Sequence, residues 1–128
     1  SIDPILSIPG MKEALSGAGV PVIAVSPIVS GQTIKGPAAK IMTELGFHPS
    51  WETVANHYDG LADVLIIDES EFISANMNYP LLVETAPIIM KTIEDRKRLA
   101  HTVLACAESI RSTEKGRAPT TPVTFNRN

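Results

Sequence analysis

Two short apolar runs that contain no polar residue constrain the fold of this chain more than any other feature. They are residues 22–25 (VIAV) and residues 64–67 (VLII). A strand with one face in water alternates apolar and polar residues, and these runs do not. Uninterrupted runs of this length are typical of strands that are covered on both faces in a parallel sheet. A third strand is predicted at residues 81–83, directly after Pro80.

The segments between these runs place apolar residues at helical spacing. Helices are predicted at residues 11–18, 38–45 and 51–58, and a terminal helix is predicted to begin near Thr92. Ser50 is expected to be the N-cap of the third of these helices. The opening residues, SIDPIL, are interpreted as strand-like, and a short helix is predicted within residues 70–78. Strands that alternate with helices predict an α/β fold with a mostly parallel, layered sheet flanked by helices.

The length of 128 residues suits one modest domain. We assign residues 1–112 to it. Residues 113–128 show no periodicity and are predicted to be a disordered tail.

Charge, the length of the apolar runs and cysteine usage each argue about a partner or a location of the chain. The net charge is −3 and basic residues are not clustered, which argues against a nucleic-acid partner. The apolar runs are too short to cross a bilayer, so no membrane span is expected. The single cysteine, Cys106, lies in a predicted helix and cannot form an internal disulfide bond. A reducing compartment, and hence a cytoplasmic location, is therefore predicted.

The connection between the first strand and the next helix, residues 26–37 (SPIVSGQTIKGP), is the strongest candidate for a binding site. Its glycines allow backbone N–H groups to approach a ligand closely, and Lys35 adds a positive charge. Pro37 is expected at the first helical position, where proline is favoured. A phosphate would suit these groups, but a plain connection with a solvated lysine would have the same composition. The spacing matches neither a Walker loop nor G-x-G-x-x-G.

Other candidates each have two interpretations. Asp68 and Glu69 end the second predicted strand, where they would hold a metal or a ribose hydroxyl, or form a solvated turn or a helix N-cap for the next element. Glu84-Thr85 is placed at a third strand end. Trp51 is expected in the core, with stacking on a flat ligand as the alternative. His57 is interpreted as a partly buried surface residue, and no histidine has neighbours at zinc-ligand spacing.

Four segments, in order, carry a family resemblance. They are "ILSIPGMKEAL", "PVIAVSPIVSGQTIKGPAAKIMTELG", "VANHYDGLADVLIIDE" and "IIMKTIEDRKRLAHTVL". Together they resemble the carboxyl-terminal part of the 2-phospho-L-lactate transferase family over residues 2–104. The most specific element is "VSPIV-G--IKGPA". Residues 86–87 (Ala-Pro) depart from the family, because many members carry a polar pair there.

The resemblance implies a Rossmann-like fold, of which this chain would be the carboxyl-terminal half, and a role in coenzyme F-420 biosynthesis. Family members move a phospholactyl, phosphoenolpyruvyl or phosphoglyceryl group from a guanylyl-activated donor to the ribityl hydroxyl of a deazaflavin. GMP is released and Mg²⁺ is used. Because members are much longer, the resemblance implies that the metal ligands and a glycine-rich turn lie upstream. No catalytic residue is assigned within this chain.

The resemblance also implies which residues contact the substrate phosphate. The predicted phosphate-binding residues are Ser26, Pro27, Ile28, Gly31, Lys35 and Gly36. Ser26 and Lys35 are the preferred donors among them. Two hypotheses stay open at this point: part of a transferase, or an inactive nucleotide- or phosphate-binding half-domain with a regulatory or assembly role. A homodimer is a further hypothesis, with the terminal helix as its interface.

Overall fold

The computed structural model of the chain describes residues 2–34, 36–71, 73 and 78–116, with side chains up to Arg111. The elements in chain order are α1 (Asp3–Leu6), α2 (Met11–Ser16), β1 (Ile23–Val25), β2 (Ile28–Val29), β3 (Gln32–Thr33), α3 (Ala38–Glu44), α4 (Trp51–His57), β4 (Val64–Asp68), β5 (Leu82–Ala86) and α5 (Ile93–Gly116).

Strands β1, β4 and β5 form a parallel sheet in the order β1-β4-β5. Ile23 lies opposite Val64, and Val64 in turn lies opposite Leu82, so the three strands are in register at their amino ends. Helices cover this sheet, which confirms the predicted α/β fold. The carboxyl ends of the strands meet at one edge, which we call the carboxyl edge (residues 25–26, 68–69 and 86–88).

The central strand β4 is covered on both faces, as its uninterrupted apolar sequence predicts. All five of its residues are buried. Side chains alternate between the faces of a strand, so Val64 and Ile66 enter one core and Leu65 and Ile67 enter the other. The first core contains residues of α5, and the second contains residues of α4 and the side chain of Ile28. Three layers result, with the sheet in the middle.

Local sequence signals determine where two of the helices begin. The hydroxyl of Ser50 accepts a hydrogen bond from the amide of Thr53, which confirms the predicted N-cap of α4. At the start of α5, the Asp95 carboxylate accepts from the amide of Thr92, while the Thr92 hydroxyl accepts from the amide of Asp95. This reciprocal capping box satisfies amides that otherwise lack partners in a first helical turn.

The strand-like interpretation of the opening residues is wrong, because residues 3–6 form helix α1. The amides of Leu6 and Ser7 donate to the carbonyls four residues earlier, at 3.0 and 2.9 Å. Pro4 does not prevent this, because an amide in the first helical turn has no intrahelical partner in any case.

Three other boundaries differ from the predictions. Strand β5 runs to Ala86, so Glu84 and Thr85 lie inside the strand instead of at its end. The first residue of α3 is Ala38, and Pro37 is its N-cap. Helix α5 reaches Gly116, beyond the boundary drawn at residue 112, and residues 117–128 lie outside the described residues. The predicted short helix also falls mostly on residues outside the described ranges.

Candidate functional site

The segment that leaves β1 at the carboxyl edge is a β-hairpin, where a small loop was predicted. Ile28 pairs with Thr33 and Val29 pairs with Gln32, in antiparallel register. Ser30 and Gly31 form the turn, with φ of 51° and 78°. Two successive positive φ angles are the signature of a type I′ turn, whose twist matches that of the strands it joins. The segment is therefore an ordered projection from the sheet.

The hairpin is tied to the sheet through Ser26. The backbone amide of Ser26 donates to the carbonyl of Ile66 at 2.8 Å, which continues the pairing of β1 with β4 by one residue. The Ser26 hydroxyl accepts from the amide of Ile28 at 3.1 Å and lies 3.2 Å from the Ile28 carbonyl, to which it donates. Only 2% of Ser26 is exposed. Its hydroxyl is thus fully engaged in shaping the turn that follows β1.

A second contact joins the hairpin to α3. The Thr33 hydroxyl accepts a hydrogen bond from the amide of Ala39 at 2.7 Å, and the amide of Ile34 donates to the carbonyl of Pro27 at 3.1 Å. The first bond caps the beginning of α3 from outside the helix, and the second closes the base of the hairpin. These bonds hold the strand, the hairpin and the helix in one arrangement.

The six residues predicted to bind phosphate occupy different environments. Ser26 and Ile28 are buried, and the Ile28 side chain belongs to the core around Trp51. Gly31 lies in the hairpin turn, and Gly36, with φ of 80°, lies in the exposed connection to α3. Pro27 closes the hairpin, and Lys35 is outside the described residues. Phosphate binding by these residues stays a prediction.

Asp68, the last residue of β4, is the acidic side chain most closely integrated into the carboxyl edge. It is 6% exposed. One carboxylate oxygen accepts from the amide of Ser70 at 3.1 Å and from its hydroxyl at 2.5 Å. The other oxygen accepts from the amide of Ile88 at 3.2 Å. Burial raises the pKa of Asp68, but the hydrogen bonds from Ser70 and Ile88 outweigh it and hold the pKa below its ordinary value.

These contacts place Asp68 in a turn, as one interpretation predicted, but its carboxylate is buried where a solvated one was expected. Its carboxylate already accepts three hydrogen bonds from the protein, and Glu69 is exposed beside it. Within the described residues, there is no group of three or more His, Cys, Asp or Glu side chains that could hold a metal ion. The use of Mg²⁺, which the family resemblance implies, stays a prediction.

The remaining aromatic and histidine candidates serve the architecture. Trp51 is 3% exposed and its ring lies against that of Tyr79, with 4.8 Å between centroids, which confirms the core interpretation. His57 is exposed, and its Nε2 lies 2.8 Å from an Asp3 carboxylate oxygen, which links α4 to α1. A cleft of about 280 Å³ lies beside this pair, and none of its lining residues belongs to the carboxyl edge.

Comparison with known proteins adds the decisive observation. Residues 1–106 match the model of the family described as 2-phospho-L-lactate transferase CofD. The chain belongs to this family. The match covers β1, the hairpin, β4 and β5, and ends within α5. The family resemblance stated from the sequence is thereby confirmed, together with the α/β fold that it implies.

Curated proteins of similar sequence are named as transferases. The chain is 37% identical to 2-phospho-L-lactate transferase of Methanocaldococcus jannaschii over 110 residues, which is 86% of the chain and 34% of that protein. It is 40% identical to 2-phospho-L-lactate transferase of Methanococcus maripaludis over 104 residues, or 81% and 33%. It is 32% identical to phosphoenolpyruvate transferase of Streptomyces coelicolor over 114 residues, or 87% and 36%. The chain spans about a third of the length of the relatives it matches.

Two features of this family member were missed by sequence reasoning. The hairpin had a usable signal, because Ser30-Gly31 separates two pairs of strand-compatible residues by a two-residue turn. The link from Asp68 to Ile88 had no comparable signal, since it joins positions 20 residues apart.

Among the described residues, no helix is both long enough and apolar enough to cross a membrane.

Proposed function

We propose that this chain forms part of a transferase of coenzyme F-420 biosynthesis. The reaction moves a phosphorylated three-carbon acid from a guanylyl-activated donor to the ribityl hydroxyl of a deazaflavin. The acceptor oxygen forms a new bond to the phosphorus of the phospho-acid, the bond from that phosphorus to the bridging oxygen breaks so that GMP leaves with this oxygen, and the hydroxyl proton passes to solvent. The observation that carries this proposal is the family match over residues 1–106.

The names of the relatives leave the identity of the phospho-acid between at least two choices. Relatives from methanogens are named 2-phospho-L-lactate transferase, and those from Streptomyces are named phosphoenolpyruvate transferase. Both names describe transfer of an acid that carries a phosphate, so the proposed chemistry is shared. The donor for this protein is therefore identified by comparing the candidate donors in the same transfer assay.

In the proposed enzyme, the carboxyl edge forms one wall of the substrate crevice. Ligands in open α/β sheets bind outside the carboxyl ends of the strands. The hairpin projects from this edge, and the connection to α3 that follows it carries Lys35 and Gly36. Lys35 would neutralise a phosphate oxygen, while Ser26 acts by holding the hairpin in place. Mg²⁺, when bound, would stabilise charge on the phosphate oxygens.

The test is a transfer assay on the polypeptide as it occurs in its source cells, with its intact mass determined first. The purified protein is incubated with deazaflavin, Mg²⁺ and the guanylyl-activated form of phospholactate, phosphoenolpyruvate or phosphoglycerate in turn. We expect one donor to give a deazaflavin product whose mass has increased by that of the phospho-acid less one water, with one GMP released per product. Absence of product with all three donors would contradict the proposal.

The alternative function is an inactive half-domain that binds a nucleotide or phosphate. It predicts no transfer but saturable GDP binding in calorimetry. An intact mass near 13.7 kDa would favour this alternative, and one more than twice as large would favour the transferase.

A homodimer and a cytoplasmic location belong to the transferase proposal and are tested by sedimentation and cell fractionation.

A further inference from the structure

We infer that Asp68 is a positioning residue that ends the pairing of β4 with β5 and so sets the path of the two segments that leave these strands at the carboxyl edge. This inference rests on the proposed function, because it needs the carboxyl edge to be the place where substrates bind. The family match does not assign any role to Asp68. The hydrogen bonds at the end of the parallel ladder support the inference.

The ladder between β4 and β5 follows a regular alternation up to Glu69. In a parallel pair, a residue donates to the carbonyl before its partner and accepts from the amide after its partner. Leu82, on β5, donates to the carbonyl of Asp63 at 3.3 Å. The residues of β4 that bond to β5 are therefore the odd-numbered ones. The amide of Glu69 continues the pattern, because it donates to the carbonyl of Ala86 at 3.0 Å.

The next bond of the ladder is replaced by a side chain. Continuation of the pattern would direct the amide of Ile88 to the carbonyl of Glu69. The amide instead donates to the carboxylate of Asp68 at 3.2 Å. The main chain of β4 is then free to turn away, and it does so through a turn in which the amide of Glu71 donates to the carbonyl of Asp68 at 3.0 Å. The two strands diverge at this point.

A carboxylate is the side chain that this position needs. One oxygen faces the amide and hydroxyl of Ser70, and the other faces the amide of Ile88, so donors approach from both sides. An asparagine of the same shape carries one acceptor oxygen and one NH₂ group. Its single oxygen can accept from the amide of Ser70 or from that of Ile88, because its NH₂ group would face the remaining amide N–H. The segment that contains the remaining amide would lose its anchor.

The divergence matters because of the groups that it places at the carboxyl edge. On one side lie Glu69 and Ser70, and on the other side Ile89 and Met90 follow the anchored Ile88. Ile88 itself is buried in the core against Ala86 and Leu99, whereas Ile89 and Met90 are 43% and 47% exposed. Ligands of open α/β sheets bind outside the carboxyl ends of the strands, which is where these groups lie. Asp68 is then the residue that holds both groups in position.

The experiment compares Asp68→Asn with Asp63→Asn in the complete native enzyme. Asp63 is the control at the opposite end of β4: its exposed carboxylate accepts from the amide of Val22 at 2.7 Å, which also links neighbouring segments. KM for donor and acceptor and kcat are measured at a temperature where circular dichroism shows both variants to be folded. We expect KM for at least one substrate to rise about fivefold or more in Asp68→Asn, and to change less than twofold in Asp63→Asn.

Two outcomes would overturn the inference or what it rests on, and a folding failure is resolved by a further variant. If both variants lose thermal stability and both retain their KM values within twofold, Asp68 has only a structural role. If the wild-type enzyme transfers no phospho-acid, the proposed function fails and the inference falls with it. If Asp68→Asn does not fold, Ser70→Ala decides, since it removes a single hydroxyl contact to the same carboxylate. A KM rise of about twofold or more in Ser70→Ala supports the inference, and an unchanged KM overturns it.

Discussion

The carboxylate of Asp68 accepts a hydrogen bond from the backbone amide of Ile88, 20 positions further along the chain, at the point where strands β4 and β5 part. At the end of β1, the hydroxyl of Ser26 accepts from the amide of Ile28 and anchors the hairpin that follows. Both side chains are buried and both hold the backbone that leaves a strand. The carboxyl edge is therefore arranged by polar side chains that are engaged within the protein.

Lys35 is the first residue to test for contact with substrate. In the complete enzyme, Lys35→Ala is expected to weaken donor binding or turnover by about tenfold or more, because charge-assisted hydrogen bonds are worth roughly 1.5–3 kcal/mol. Steady-state kinetics with the preferred donor gives the measurement. Lys40→Ala is the control, since Lys40 is exposed and lies 3.9 Å from Glu44 in an i,i+4 pair. Equal kinetics in the two variants would remove Lys35 from the site.

Ser26→Ala is expected to act on stability. The change leaves the buried amide of Ile28 without its acceptor, which costs about 1–3 kcal/mol in the free energy of unfolding. Chemical denaturation of the native polypeptide measures this, and Ser7→Ala, which removes an exposed hydroxyl, should change stability by less than about 0.5 kcal/mol. An unchanged stability together with a tenfold rise in donor KM would show instead that the hydroxyl binds the ligand.

The type I′ turn makes a prediction for Gly31. Its φ of 78° lies in the left-handed region, so Gly31→Ala should cost about 1–2 kcal/mol in the free energy of unfolding. The added Cβ would lie 3.5 Å from the carbonyl oxygen of Pro49, an ordinary contact, so the cost comes from the backbone and not from a clash. The neighbouring Ser30→Gly provides the control and should be near neutral, because glycine accepts the φ of 51° without strain.

The lowered pKa of Asp68 predicts how stability depends on pH. A carboxyl group whose pKa is lower in the folded state contributes stability above its unfolded pKa of about 3.9, and this is lost as the pH falls through the folded pKa. The stability difference between wild type and Asp68→Asn should therefore be largest at neutral pH and should shrink below about pH 4. Thermal unfolding of both proteins between pH 7 and 3 measures it. A difference that does not vary with pH would contradict the lowered pKa.

Asp95 contributes to the acid sensitivity of the wild type with the same sign. The amides of Lys91 and Thr92 hold the pKa of its carboxyl group below the ordinary value. Because Asp95 is present in both proteins, its contribution cancels in the comparison of wild type with Asp68→Asn. The remaining pH dependence of the difference belongs to Asp68.

Elements whose signals are local were predicted well. The apolar run of β4, the N-cap Ser50 and the helical stripe that contains Trp51 each depend on residues within a few positions of one another. The family could also be identified from short motifs, and the residues that carry them lie within the segment 1–106 that the family model matches. The strand-like interpretation of residues 1–6 failed because four residues give no usable periodicity, and only their backbone hydrogen bonds show a helix.

By itself, the sequence determined the layered α/β fold, the central position of a fully buried strand and membership of the transferase family. Only the tertiary structure decided how the carboxyl edge is built. The length of β5 depends on its pairing with β4, the role of Ser26 depends on the hairpin, and the role of Asp68 depends on an amide 20 residues away. The physical reason is that a strand or a helix N-cap depends on residues close in sequence. The hydrogen-bond partner of a buried polar group depends on which distant segments the fold brings beside it.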